Sequence, residues 1–144
     1  MGTLQTKMYK VERAGWTSYF DLFVSPSAKA MRAYIKKYFE AHNFLIPRVD
    51  DTLGLVQPIQ SKDGMFAACF LNENNLGVGT VAHECLHIAM AHERFVSRFG
   101  MDYGDGDSGL DDEERLAYLL TDTVSGVYNV LYDNGHIKSK RISF

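Results

Sequence analysis

The chain has 144 residues, a net charge of −3, 46% hydrophobic residues and 23% charged ones. That suits one ordinary domain able to bury its own core, and residues 1–144 carry no repeat, low-complexity stretch or linker that would divide it. The mildly acidic balance argues against nucleic acid or an anionic membrane as partner, and no apolar run is long enough to cross a bilayer.

Residues 4–13 and 16–24 read as two strands around Ala14-Gly15, because aromatic and β-branched residues recur in them (Tyr9, Val11, Trp16, Tyr19, Phe23). Ser25-Pro26 then reads as an N-cap followed by proline at the first helical position. The helix that follows runs to about His42. Met31, Tyr34, Ile35, Tyr38 and Phe39 share its inner face, with Lys29, Arg32, Lys36 and Lys37 on a solvated outer one. Residues 53–60 and 65–71 form an expected hairpin closed by Ser61-Lys62-Asp63-Gly64, and Pro58 suits an edge or a strand end. A second helix is expected from Val78 to Phe99. A polar, glycine-rich loop follows (Gly100 to Gly109), then a third helix from Asp111 to Tyr132, closed by Asn134-Gly135. Strands and helices in this order predict an α+β domain.

The second helix contains His83-Glu84-Cys85-Leu86-His87, an HExxH sequence. Residues four apart on a helix sit one above the other, so both imidazoles can reach one metal ion. Glu84 is turned about 100° from His83. From there it is placed to act on a water rather than to serve as a ligand, which is where a general base belongs. The alternative is a helix with two partly buried, hydrogen-bonded histidines. The apolar flanks Val81-Ala82 and Ile88-Ala89-Met90-Ala91 place this helix deep in the fold, where buried imidazoles and a carboxylate need partners or a metal. Cys85 reads as a core residue, Cys69 as hairpin packing, and His92 as a surface or packing histidine.

A catalytic zinc takes three protein ligands and keeps an open position. The candidate third ligand is Glu114, with Glu113 as the fallback. Glu114, Tyr118, Thr121, Asp122 and Ser125 follow helical spacing as one polar stripe, opposite Leu116, Leu119, Leu120, Val124, Val127 and Leu131. Against this, Asp111-x-x-Glu114 is also a capping-box arrangement. Tyr118, one turn beyond Glu114, is a candidate oxyanion donor or else a packed aromatic. Tyr103 and His136 are weaker candidates for that role. Asp122 is placed to accept a hydrogen bond from a ligand imidazole or to sit in solvent. The aspartates at 102, 105, 107, 111 and 112 lack the calcium-loop spacing, so that loop reads as solvated or as a lid between the two metal-bearing helices.

HExxH followed at a distance by Glu114-Arg115-Leu116-Ala117 resembles the gluzincin metallopeptidases. The Glu-Glu-x-x-Ala-Tyr form is similar to minimal single-domain metallopeptidases of phages and prophages. The resemblance covers about residues 65–131. It implies a small zincin-like domain, an antiparallel or mixed sheet packed on the HExxH helix and a glutamate-bearing helix. It also implies one Zn2+ held by His83, His87 and Glu114, Glu84 as general base, and a peptide or protein as substrate. The strand at 65–71 would be the edge that receives an extended substrate. Larger gluzincins have a second domain that completes the cleft, for which this chain has no room. A zinc hydrolase of another substrate, or a non-catalytic protein held together by its metal, are the competing readings; a purely structural site has no need of Glu84.

The N-terminal residues 1–15 carry no apolar signal region and the two cysteines suit no disulfide framework, so a cytoplasmic location is expected (the host's cytoplasm, if the chain is phage-encoded). Met1-Gly2-Thr3-Leu4-Gln5-Thr6 satisfies the loose myristoylation pattern, which depends on a eukaryotic host.

Overall fold

The computed structural model describes residues 5–12, 17–98 and 109–138. The elements in chain order are β1 (Lys7–Glu12), β2 (Tyr19–Ser25), α1 (Ala28–Ala41), β3 (Leu55–Pro58), β4 (Met65–Asn72), α2 (Val78–Arg98) and α3 (Gly109–Asp133). The chain is α+β, as the element order predicts. Residues 1–4 of the myristoylation pattern, the Ala14-Gly15 turn, Tyr103 and the loop aspartates lie outside the described residues or have side chains that do.

The sheet is mixed, in the order β1-β2-β4-β3. β1 and β3 pair antiparallel with their neighbours, while β2 and β4 run parallel. A parallel pair needs a crossover connection, and α1 supplies it over one face of the sheet. There Phe23 and Phe70 stack at 5.1 Å and pack with Met31, Ile35 and Phe39 of α1. The other face carries Phe20, Leu22, Cys69 and Leu71 against Val81, Cys85 and Ile88 of α2 and Val127 and Leu131 of α3.

This arrangement corrects the expectation that residues 65–71 form a substrate-binding edge. β4 has a neighbour on each side, and its run Phe66–Asn72 is buried throughout. An unbroken apolar run covered on both faces marks an interior strand. The edge on that side is β3, which Pro58 ends.

The start of α1 also differs from expectation. Its N-cap is Ser27, whose hydroxyl accepts from the Ala30 amide at 3.1 Å. Ser25 stays in β2, because its carbonyl accepts from the Glu73 amide at 2.9 Å, extending the parallel pairing. The hairpin turn is as expected. Gly64 has φ of 105°, and a Cβ there would lie 2.7 Å from the Thr17 carbonyl oxygen. Asp63 holds the turn by accepting from the Tyr19 hydroxyl at 2.9 Å and the Met65 amide at 3.2 Å.

α2 and α3 pack antiparallel. Arg115 near the start of α3 forks onto Glu93 near the end of α2, at 2.6 Å and 3.1 Å, while Tyr128 far along α3 lies close to Cys85. Among the described residues no helix is long and apolar enough to cross a membrane.

Candidate functional site

The apolar periodicity of α2 divides the helix. Val81, Cys85, Ile88, Ala89 and His92 face the sheet and are buried, whereas His83, Leu86, His87 and Met90 are exposed. The two imidazoles therefore do not sit deep in the fold, contrary to the expectation from their apolar flanks. Those flanking side chains are drawn to the core, and the histidines occupy the opposite stripe.

The Nε2 atoms of His83 and His87 face each other at 3.3 Å, with the rings at 75°. Two nitrogens each about 2.0–2.1 Å from one tetrahedral zinc stand roughly 3.3–3.4 Å apart. The histidine pair thus fits the bite of a single ion.

Glu84 turns away from this pair toward the sheet edge and is only 7% exposed. Its side chain lies against the backbone of Gly54, just before β3. With Thr52, Leu53, Gly54, Thr80 and His83 it lines an open cavity of about 420 Å3. Burial raises the Glu84 pKa above the usual carboxylate range, and the charges of His83 and His87 pull it back in part. One turn of helix therefore carries two exposed imidazoles and a buried carboxylate beside a cavity.

Neither candidate third ligand, Glu114 or Glu113, joins them. Glu113 and Glu114 are both exposed, and among the described residues no three His, Cys, Asp or Glu side chains are grouped to hold a metal. The relative placement of the helices accounts for this. Arg115, next to Glu114, is tied to Glu93, nearly two turns or about 9 Å along the axis beyond His87. α3 begins at Gly109, so Asp111 lies inside the helix rather than at its cap.

The polar stripe of α3 faces outward: Tyr118 is 66% exposed, and Thr121 and Asp122 are exposed as well. Leu119, Thr123, Val127 and Leu131 take the inner side. Tyr118 is thus not a packed aromatic. Among the described residues Asp122 makes no hydrogen bond to His83 or His87, whose one such contact is with each other.

His136 is committed elsewhere. Its Nδ1–H donates to the Glu73 carboxylate and its Nε2 pairs with the Tyr9 hydroxyl at 2.7 Å, so it holds the segment after α3 to the sheet with both ring nitrogens engaged. His92 is a packing histidine, fully buried, stacked on Phe66 at 4.4 Å and bonded to Ser18 at 2.8 Å. Cys69 and Cys85 are buried side chains in the core, and burial pushes the Cys69 thiol well up, away from nucleophile chemistry.

Gly54 is the site residue that sequence reasoning passed over. Its signal was a lone glycine between Leu53 and Leu55 at the mouth of a strand, a mark of close approach by another group.

Comparison with family models, with curated proteins and with solved structures finds no match to this chain.

Proposed function

We propose that this chain is a zinc-dependent hydrolase, and specifically a metallopeptidase, in which His83 and His87 hold the ion and Glu84 is the general base. One observation carries the reading: two exposed imidazole nitrogens at 3.3 Å share a helical turn with a buried carboxylate lining a cavity. When bound, the ion supplies Lewis acidity toward a water and toward the carbonyl oxygen of the scissile bond. Glu84 takes the proton of the attacking water and returns it to the leaving amine. Burial against Gly54 shields its carboxylate from bulk water and limits the directions it can point.

The substrate class rests on the gluzincin-like spacing and on what surrounds the histidines. Leu86 and Met90 are exposed on the same stripe, at 42% and 38%, and offer an apolar surface to a substrate side chain. β3, the sheet edge beside the cavity, takes over the substrate-pairing role first assigned to residues 65–71. A catalytic zinc requires a third protein ligand. The sequence pattern assigns it to Glu114, with Glu113 as the alternative. Either carboxylate would have to come nearer to His87 than the Arg115–Glu93 pair now allows. Tyr118, exposed and one turn further on, remains the proposed oxyanion donor.

The absence of an assembled third ligand among the described residues favours a second reading, a binding or structural protein with a weaker metal site. The test is metal content together with hydrolysis of an unfolded protein substrate. Metal-replete protein should carry one zinc per chain, and His83→Ala or His87→Ala should lose it. Glu84→Gln should keep the zinc and lose hydrolysis. Zinc without hydrolysis in the wild type selects the second reading, and no zinc at all removes both.

A further inference from the structure

The face of the sheet opposite the histidine pair carries a second cavity, of about 450 Å3, between α1 and the strands β1, β2 and β4. Phe23, Tyr34 and Tyr38 wall it, Met8 and Met65 add apolar surface, Lys37 and His42 stand on its α1 side, and Asp21 is the only acid among the described residues that line it. Strand alternation puts Asp21 on the same face as Phe23, beneath α1. Its charge reaches the hydroxyls of both Tyr34 and Tyr38.

This carboxylate is half-buried and has no direct partner among the described residues. Lys10 stands opposite it in the β1–β2 register, but the lysine ammonium lies 4.3 Å over the Tyr19 ring and 3.6 Å from Glu12. A partly desolvated carboxylate without a donor sits in an unfavourable place, and a cation entering the cavity would relieve it. Aromatic rings attract such a cation further, and the methionines suit an apolar stem behind it.

We infer that this cavity binds an organic cation, an ammonium on a short apolar stem such as a lysine side chain or a small amine presents. The site is independent of the proposed zinc chemistry and stands on the other side of the sheet. The test is an NMR titration of the full chain with n-butylammonium, with n-butanol as the uncharged probe of the same shape. Saturable shifts centred on Asp21, Tyr34 and Tyr38 are expected for the ammonium, with butanol at least ten-fold weaker. Asp21→Asn should weaken ammonium binding at least ten-fold. Lys37→Glu, at an exposed position lining the cavity, should tighten it several-fold without burdening the fold. Nα-acetyl-lysine methylamide, run in parallel, distinguishes a peptide-borne ammonium from a free amine. Equal binding of butanol, shifts located elsewhere, no binding at all, or no response to Lys37→Glu would each overturn the inference.

Discussion

The side chain of Glu84 rests on the backbone of Gly54: a Cβ built on Gly54 would stand 2.9 Å from Glu84 Cγ and 3.1 Å from its Oε2. The glycine serves space here, since its φ is not among the positive ones. The atoms it would strike belong to a flexible side chain, so the fold can yield by moving Glu84. Gly54→Ala is therefore expected to cost no more than about 1–2 kcal/mol of stability, to leave zinc binding intact and to remove most hydrolysis. Denaturant melts of Gly54→Ala, Glu84→Ala and the double variant check the contact. The alanine at 54 should cost less when Glu84 is already truncated, and an unchanged cost would mean the two residues are not coupled.

Helical periodicity was the legible part of this chain. Val81, Cys85 and Ile88 announce the inner face of α2, and its start at Val78 is where the pattern places it. The face given to His83 and His87 was misread because flanking apolar residues were taken as evidence for the whole circumference of the helix. β4 was legible as an interior strand in the run Phe66-Ala67-Ala68-Cys69-Phe70-Leu71. The resemblance to larger metallopeptidases suggested an edge instead. Strand order and the offset between two helices depend on contacts far apart in sequence, such as Arg115 with Glu93 and Ser25 with Glu73, and no local pattern encodes them.

The Arg115–Glu93 fork gives the third-ligand question a definite test. If Glu114 completes the zinc site, Glu114→Ala should weaken zinc affinity by at least ten-fold while Glu113→Ala leaves it nearly unchanged. Arg115→Ala frees the start of α3 from Glu93 and is expected to hold or tighten zinc binding, at some loss of stability. Competition titrations against a chelator of known affinity give the readout. The opposite order of effects would assign the ligand to Glu113, and no effect of either would remove both.

His136 is a structural residue, and its loss should show in stability rather than in turnover. A carboxylate can only accept, so Glu73 fixes a proton on Nδ1, and Nε2 is held by the Tyr9 hydroxyl. The imidazole side chain is only 4% exposed. His136→Ala should cost about 1–3 kcal/mol, the range for unpairing partly buried polar groups, and Tyr9→Phe should cost less. Thermal melts measure both, with zinc content unchanged in each. A loss of hydrolysis without loss of stability would return His136 to the candidate donors.

Asp21 should make stability depend on pH in the reverse of the usual carboxylate sense. Burial holds its pKa above the ordinary range, with Lys10 opposing in part. The folded chain thus binds this proton more tightly than the unfolded chain does. The penalty is absent below the unfolded-state value of about 3.9 and grows as pH rises through the folded-state value. Asp21→Asn removes it, so the variant should melt above the wild type at pH 7, and the two should converge near pH 3. Melts at both pH values on the same preparations check this. An Asp21→Asn protein that is less stable at pH 7 would mean that Lys10 more than offsets the cost of burial, and that the carboxylate beneath α1 is a paired structural group with no need of a ligand.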